Sequence, residues 1–159
     1  MTQGPAGIFQ PQLVFSVSGR TAAEVLGQMA DHLAREGVVP DGRALARQLV
    51  EREGRCSTAL GAGVAIPHSK VFALPGVVVA VGLAQPPVNF AAPDGEPVDL
   101  VFLLLSPAEM PATHLAALAR LSRVLRAPGV ASRLREAGSC AAVAEVLREA
   151  ETGLMVSLK

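Results

Sequence analysis

GVVVAVGLA, residues 76–84, and VDLVFLLL, residues 98–105, decide the fold. Neither run shows the regular alternation of apolar and polar residues expected of a strand with one wet face, and both fall far short of the roughly 20 residues that cross a bilayer. They read as strands buried on both faces, which need helices packed above and below the sheet.

Toward the N-terminus, Leu13 to Val17 alternates weakly and predicts a first strand behind a Gly/Pro/Gln leader, residues 1–12. Thr21 with Glu24 three residues on forms a capping box, and Val25, Met29 and Leu33 follow at helical spacing up to Gly37. A second helix is expected from Asp41, carrying Leu45, Leu49 and Val50, with Arg52 and Glu53 in its last turn before Gly54 stops it. Between the two apolar runs, Pro86 and Pro87 separate a short segment, Val88 to Phe90, from the strand before it, and Pro93-Asp94-Gly95 predicts a turn. Beyond Leu105, Thr113 is placed to cap a helix containing Leu115, Leu118, Leu121 and Leu125. Pro128 and Ser139 then mark the starts of two more short helices. The expected architecture is a single α/β domain over residues 13–150, a central mixed β-sheet of about five strands flanked by helices on both sides, with a C-terminal tail at 151–159.

Composition narrows the function classes. Half of the 159 residues are hydrophobic, yet Trp and Tyr are absent, so Ala, Val and Leu must build the core and few aromatic platforms exist for stacking bases or sugars. Acidic and basic residues balance at 14 each with no basic cluster, which argues against a nucleic-acid partner. The opening MTQGPAGIFQPQ lacks the basic and apolar regions of a secretory signal, and Cys56 and Cys140 have neither metal-ligand spacing nor the number of a disulfide framework. A cytoplasmic protein without membrane insertion is the expectation.

The chemistry-bearing candidates are histidines. His32 lies mid-helix beside Asp31 and reads as structurally neutral. His68 follows Pro67 just beyond a short extended run, Val64 to Ile66, after glycines at 61 and 63 that allow close backbone approach. A neutral imidazole is a competent nucleophile near pH 7, but context alone leaves His68 open between a functional and a structural role. His114 begins a helix and shares a face with Leu118, Leu121 and Leu125, so it points inward, where it could donate to an anion or simply be satisfied by backbone. Arg52 either satisfies a helix C-terminus or neutralises phosphoryl oxygens. Ser57 and Thr58 offer hydroxyls or are turn residues, and Cys56 is expected to be inert. No carboxylate or cysteine joins the histidines at ligand spacing, so no metal site and no cofactor are expected.

Three blocks carry a resemblance. Arg52-Glu53, Ser57-Thr58 and GAGVAIPHS at 61–69, then DGEPVDLVFLLLSP at 94–107, then THLAALARLSRVL at 113–125, are similar in order and spacing to the fructose/mannitol-type (type-2) enzyme IIA domains of the bacterial phosphotransferase system, which include the nitrogen-regulatory enzyme IIA. The likeness spans about residues 13 to 150. It implies a phosphohistidine carrier in which His68 accepts a phosphoryl group from an HPr-type protein, with Arg52 stabilising charge and His114 donating a hydrogen bond. Ser57, Thr58 and Ser69 are further phosphoryl-binding candidates. The group would pass to a sugar-specific IIB component or act as a signal to regulatory partner proteins, a stand-alone binding module being the alternative. Ser69 stands where many members have glycine, and Ala59-Leu60 replaces a more usual Gly-Ile. With no sugar-translocating domain expected, a separate subunit is implied.

Overall fold

In the computed structural model, residues 8–157 are described. Their element order is β1 (Phe9–Val17), α1 (Ala22–Arg35), α2 (Gly42–Arg55), β2 (Ala59–Gly61), β3 (Val64–Ala65), β4 (His68–Val71), β5 (Val78–Val88), β6 (Val98–Pro107), α3 (Pro111–Arg126), α4 (Val130–Glu136) and α5 (Cys140–Ser157). The two apolar runs are β5 and β6, paired antiparallel in the middle of the sheet with Ala80 opposite Leu103. β1 lies parallel on the outer side of β5, and β3 and β4 lie parallel on the outer side of β6.

The sheet is mixed and holds six strands rather than about five, and the extra one has a local cause. β3 and β4 occupy successive stretches of the same edge of β6, Val64 opposite Leu100 and His68 opposite Leu104. Pro67 interrupts the ladder between them because it has no amide hydrogen, while its carbonyl still accepts from the Leu104 amide at 2.9 Å. His68 therefore opens a strand instead of lying just past one.

Alternation along β6 divides the core. Val101, Leu103 and Leu105 pack with Val25, Met29 and Leu33 of α1 and Leu45 and Leu49 of α2. Leu100, Phe102 and Leu104 pack on the opposite face with Leu121 and Val124 of α3, Leu134 of α4 and Leu147 of α5. Helices thus cover both faces, and the sheet edge at β4 is where an α2 end and an α3 start approach from opposite layers.

Several expected boundaries shift for identifiable reasons. β1 starts at Phe9, not Leu13, because as an edge strand it tolerates Pro11, and its register is irregular between Phe9 and Val14. The expected leader is thus strand from residue 9, and residues 1–7 lie outside those described. Residues 151–157 continue α5 rather than forming a tail, since Glu151 is buried, accepts from the Ile8 amide at 3.1 Å and pairs with Arg120 at 3.1 Å. Residues 158–159 lie outside those described. α5 is accordingly long, 18 residues, and starts as expected behind Ser139, whose Oγ accepts from the Ala142 amide. β5 runs through Pro86 and Pro87 to Val88 because its register breaks between Leu83 and Val88, where two ladder amides are not needed. Gly54 does not stop α2, which ends at Arg55, and Val50 stays partly exposed. Thr113 does not cap α3: Pro111 takes the first position, its fixed φ suiting a helix start, and Met110 is the cap residue without a side-chain bond. The Thr21 and Asp41 caps form, each side chain accepting an amide three residues on.

Candidate functional site

His68, Arg52 and His114 meet in one open cleft at the β4 edge, lined also by Gln48, Glu51, Arg55, Ser69 and Lys70. Three elements supply them. Register with Leu104 fixes the His68 backbone, the last turn of α2 carries Arg52, and the first turns of α3 carry His114. Gln48 fastens α2 to this edge, its Nε2 donating to the Lys70 carbonyl at 3.0 Å.

The half-buried His68 ring is held by a short-range bond: Nδ1 lies 2.8 Å from the Ile66 carbonyl. A carbonyl can only accept, so Nδ1 carries the proton and the neutral ring keeps its lone pair on Nε2. Arg52 Nη2 lies 3.4 Å from that Nε2, while Nη1 donates to the Cys56 carbonyl at 3.2 Å. One arm of the guanidinium thus satisfies the carbonyl at the end of α2 while the other faces the histidine, a geometry that excludes neither reading of Arg52. His114 stands opposite, ring centroid 5.5 Å from that of His68 and tilted 48° to it. It is buried, and its Nδ1 lies 2.7 Å from Oγ of Ser106. Burial first, and then the positive charges that His68 and Lys70 can carry, lower the His114 pKa below the usual 6.5.

The charge balance of the cleft suits an anion. Arg52, Arg55 and Lys70 face one carboxylate, Glu51, which is itself paired with Arg55 at 2.6 Å. An imidazole nitrogen with a free lone pair beside a planar cation, with a second imidazole 5.5 Å away, can accept a phosphoryl group.

Ser57 and Thr58 are elsewhere. Ser57 Oγ donates to the Phe90 carbonyl, and Thr58 Oγ1 donates to Glu53 at 2.7 Å while its amide donates to the same carboxylate at 2.9 Å. Both hydroxyl protons are committed away from His68; these residues brace the turn leading out of α2. Ser69 does line the cleft. His32 stacks on Phe15 with ring centroids 3.8 Å apart and does not line the cleft. Among the described residues, no group of three or more His, Cys, Asp or Glu is placed to hold a metal ion, and no helix is long and apolar enough to cross a membrane. Sequence reasoning missed Ser106 and the Ile66 carbonyl. Ser106 left one trace, a polar residue closing an otherwise apolar run; a backbone carbonyl leaves none.

Comparison with known proteins matches residues 7–150 to the family model for the phosphoenolpyruvate-dependent sugar phosphotransferase system, EIIA 2. A nitrogen regulatory protein from Bradyrhizobium diazoefficiens is 44% identical over 105 residues, 66% of this chain and 69% of that protein. The crystal structure of nitrogen regulatory protein IIA-Ntr from Neisseria meningitidis superposes with a TM-score of 0.79 at 28% identity, covering 88% of this chain and 96% of that one. The fold also matches that of the complex of enzyme IIAMTL and phosphorylated enzyme IIBMTL from Escherichia coli, with a TM-score of 0.71, 21% identity and coverage of 87% and 95%.

Proposed function

The chain belongs to the EIIA type-2 family of the phosphoenolpyruvate-dependent sugar phosphotransferase system, and from that membership and the cleft geometry we propose that it is a phosphohistidine carrier with His68 as the acceptor. The observation that carries the reading is the Nδ1 bond of His68 to the Ile66 carbonyl, because it leaves Nε2 as the nucleophile directly beside Arg52.

In this reading the Nε2 lone pair attacks a phosphoryl group held on a histidine of an HPr-type carrier. The donor N–P bond breaks as the Nε2–P bond forms, and the donor imidazole leaves with the electron pair. Arg52 faces the equatorial oxygens and offsets their charge, and His114 donates a hydrogen bond to them from the other side. Ser69 is a third candidate contact from the cleft wall. In a second displacement a nucleophile of the acceptor attacks phosphorus and the His68 imidazole leaves with the electron pair; an enzyme IIB is the natural chemical partner, as in the Escherichia coli IIAMTL complex.

A second reading, in which the phosphorylation state selects protein partners, is favoured by one observation: the Bradyrhizobium relative and the Neisseria structure are both named nitrogen regulatory proteins. A phosphoryl group on His68 would add about −1.5 to −2 charges to a half-buried surface and so alter docking there.

Labelling tests the proposal. With phosphoenolpyruvate, enzyme I and an HPr-type carrier, the protein takes up an acid-labile phosphoryl group, and His68→Ala abolishes it. Labelling that persists in His68→Ala would overturn the assignment. Capture of protein partners by the unphosphorylated form alone, beyond the relay proteins, would favour the regulatory reading.

A further inference from the structure

Ser106 is fully buried near the end of β6, and its Oγ lies 2.7 Å from Nδ1 of His114. A hydroxyl has one proton and two lone pairs, and a buried donor left unused costs more than an unused lone pair. Donation to His114 Nδ1, its hydrogen-bond partner among the described residues, would use the Ser106 proton. Nδ1 then accepts, and a neutral His114 must carry its proton on Nε2. Burial favours that neutral form.

We propose that Ser106 is a positioning residue: its hydroxyl holds the His114 ring with Nδ1 inward as an acceptor, so that Nε2–H is the donor offered to a phosphoryl group on His68. The inference rests on the carrier reading of His68. It gives the two facing rings opposite tautomers for opposite tasks. His68 has Nδ1 protonated by its bond to the Ile66 carbonyl and Nε2 free to attack, while His114 has Nδ1 occupied and Nε2 protonated. Backbone sets the first tautomer and a side chain sets the second, so only the second is open to substitution.

Two-bond 1H–15N correlation spectra of the wild-type protein read the His114 tautomer directly, and rapid-quench phosphotransfer from an HPr-type carrier reads its consequence. The expected tautomer is Nε2–H, with the Nδ1 resonance moving downfield toward that of an unbonded acceptor in Ser106→Ala. Ser106→Ala should slow transfer about tenfold in kcat, the lower end of the cost of losing the supporting partner of a metal-bound histidine. KM for the carrier should hold, because Ser106 is out of reach of any partner. Ser106→Thr, which keeps the hydroxyl, should restore the rate. A wild-type His114 protonated on Nδ1 would overturn the proposal whether or not either variant folds, and so would Ser106→Ala transferring at the wild-type rate. Failure of His68 to take up phosphoryl in the wild-type protein overturns the carrier reading instead, and shows before any substitution is made.

Discussion

At the residue scale, the proposed function depends on which nitrogen of each ring is free, and that is decided by hydrogen-bond partners a few ångströms away. Pro67 and the glycines before it left His68 open between a functional and a structural role, and its tautomer comes from the carbonyl of Ile66, at 2.8 Å, which no side-chain pattern encodes. Arg52 could be read two ways from sequence, and its geometry is compatible with both, since its two arms reach the Cys56 carbonyl and His68. Arg52→Ala should therefore slow phosphoryl transfer by about 10²-fold, the typical cost of removing one charge-stabilising donor. Its effect on unfolding should stay near 0.3–1 kcal/mol, as for a helix-end cation. Rapid-quench kinetics with urea titration of the same variant separates the two. For Ser57 and Thr58 the sequence left phosphoryl ligand and turn residue open, because a hydroxyl near a motif looks the same whether it faces the cleft or braces a turn; here they donate to Phe90 and Glu53.

At the element scale, the sequence was most legible where apolar spacing was continuous. α1, α2, β5 and β6 follow from it, and the caps at Thr21 and Ser139 follow from their own side chains. It was least legible where proline has two structural outcomes: Pro86 and Pro87 lie inside β5, Pro67 divides β3 from β4, and Pro111 starts α3 without help from Thr113. Gly63, in the hairpin joining β2 to β3, has φ +80°, and a Cβ there would stand 2.5 Å from Arg135 Nη2 and 2.8 Å from Asp99 Oδ1. Gly63→Ala should cost about 1–3 kcal/mol in chemical denaturation from the left-handed backbone alone. Ser139→Ala, which removes the α5 cap, should cost about 1 kcal/mol and leave transfer untouched.

At the scale of the whole molecule, the site exists because two helical layers reach the same sheet edge from opposite faces. The α2 layer brings Arg52 and the α3 layer brings His114, so local sequence pattern alone could not pair them. Family resemblance brought them together before the topology did. Burying His114 also makes stability depend on pH. Its native pKa is lowered from 6.5, so as pH falls below about 6.5 the unfolded chain binds a proton that the native state resists. Stability present above pH 6.5 is then lost toward acid. Thermal unfolding at pH 7.5 and 5.5 should show a smaller acid penalty in His114→Gln than in wild type; an equal penalty would place the acid sensitivity elsewhere.

The claim that the Nε2 of His68 accepts a phosphoryl group is tested most directly by heteronuclear NMR of the protein phosphorylated through the relay. The account predicts phosphorus bonded to Nε2 of His68, with Nδ1 still protonated against the Ile66 carbonyl. Phosphorus on Nδ1 of His68, on His114, or on no histidine would contradict it.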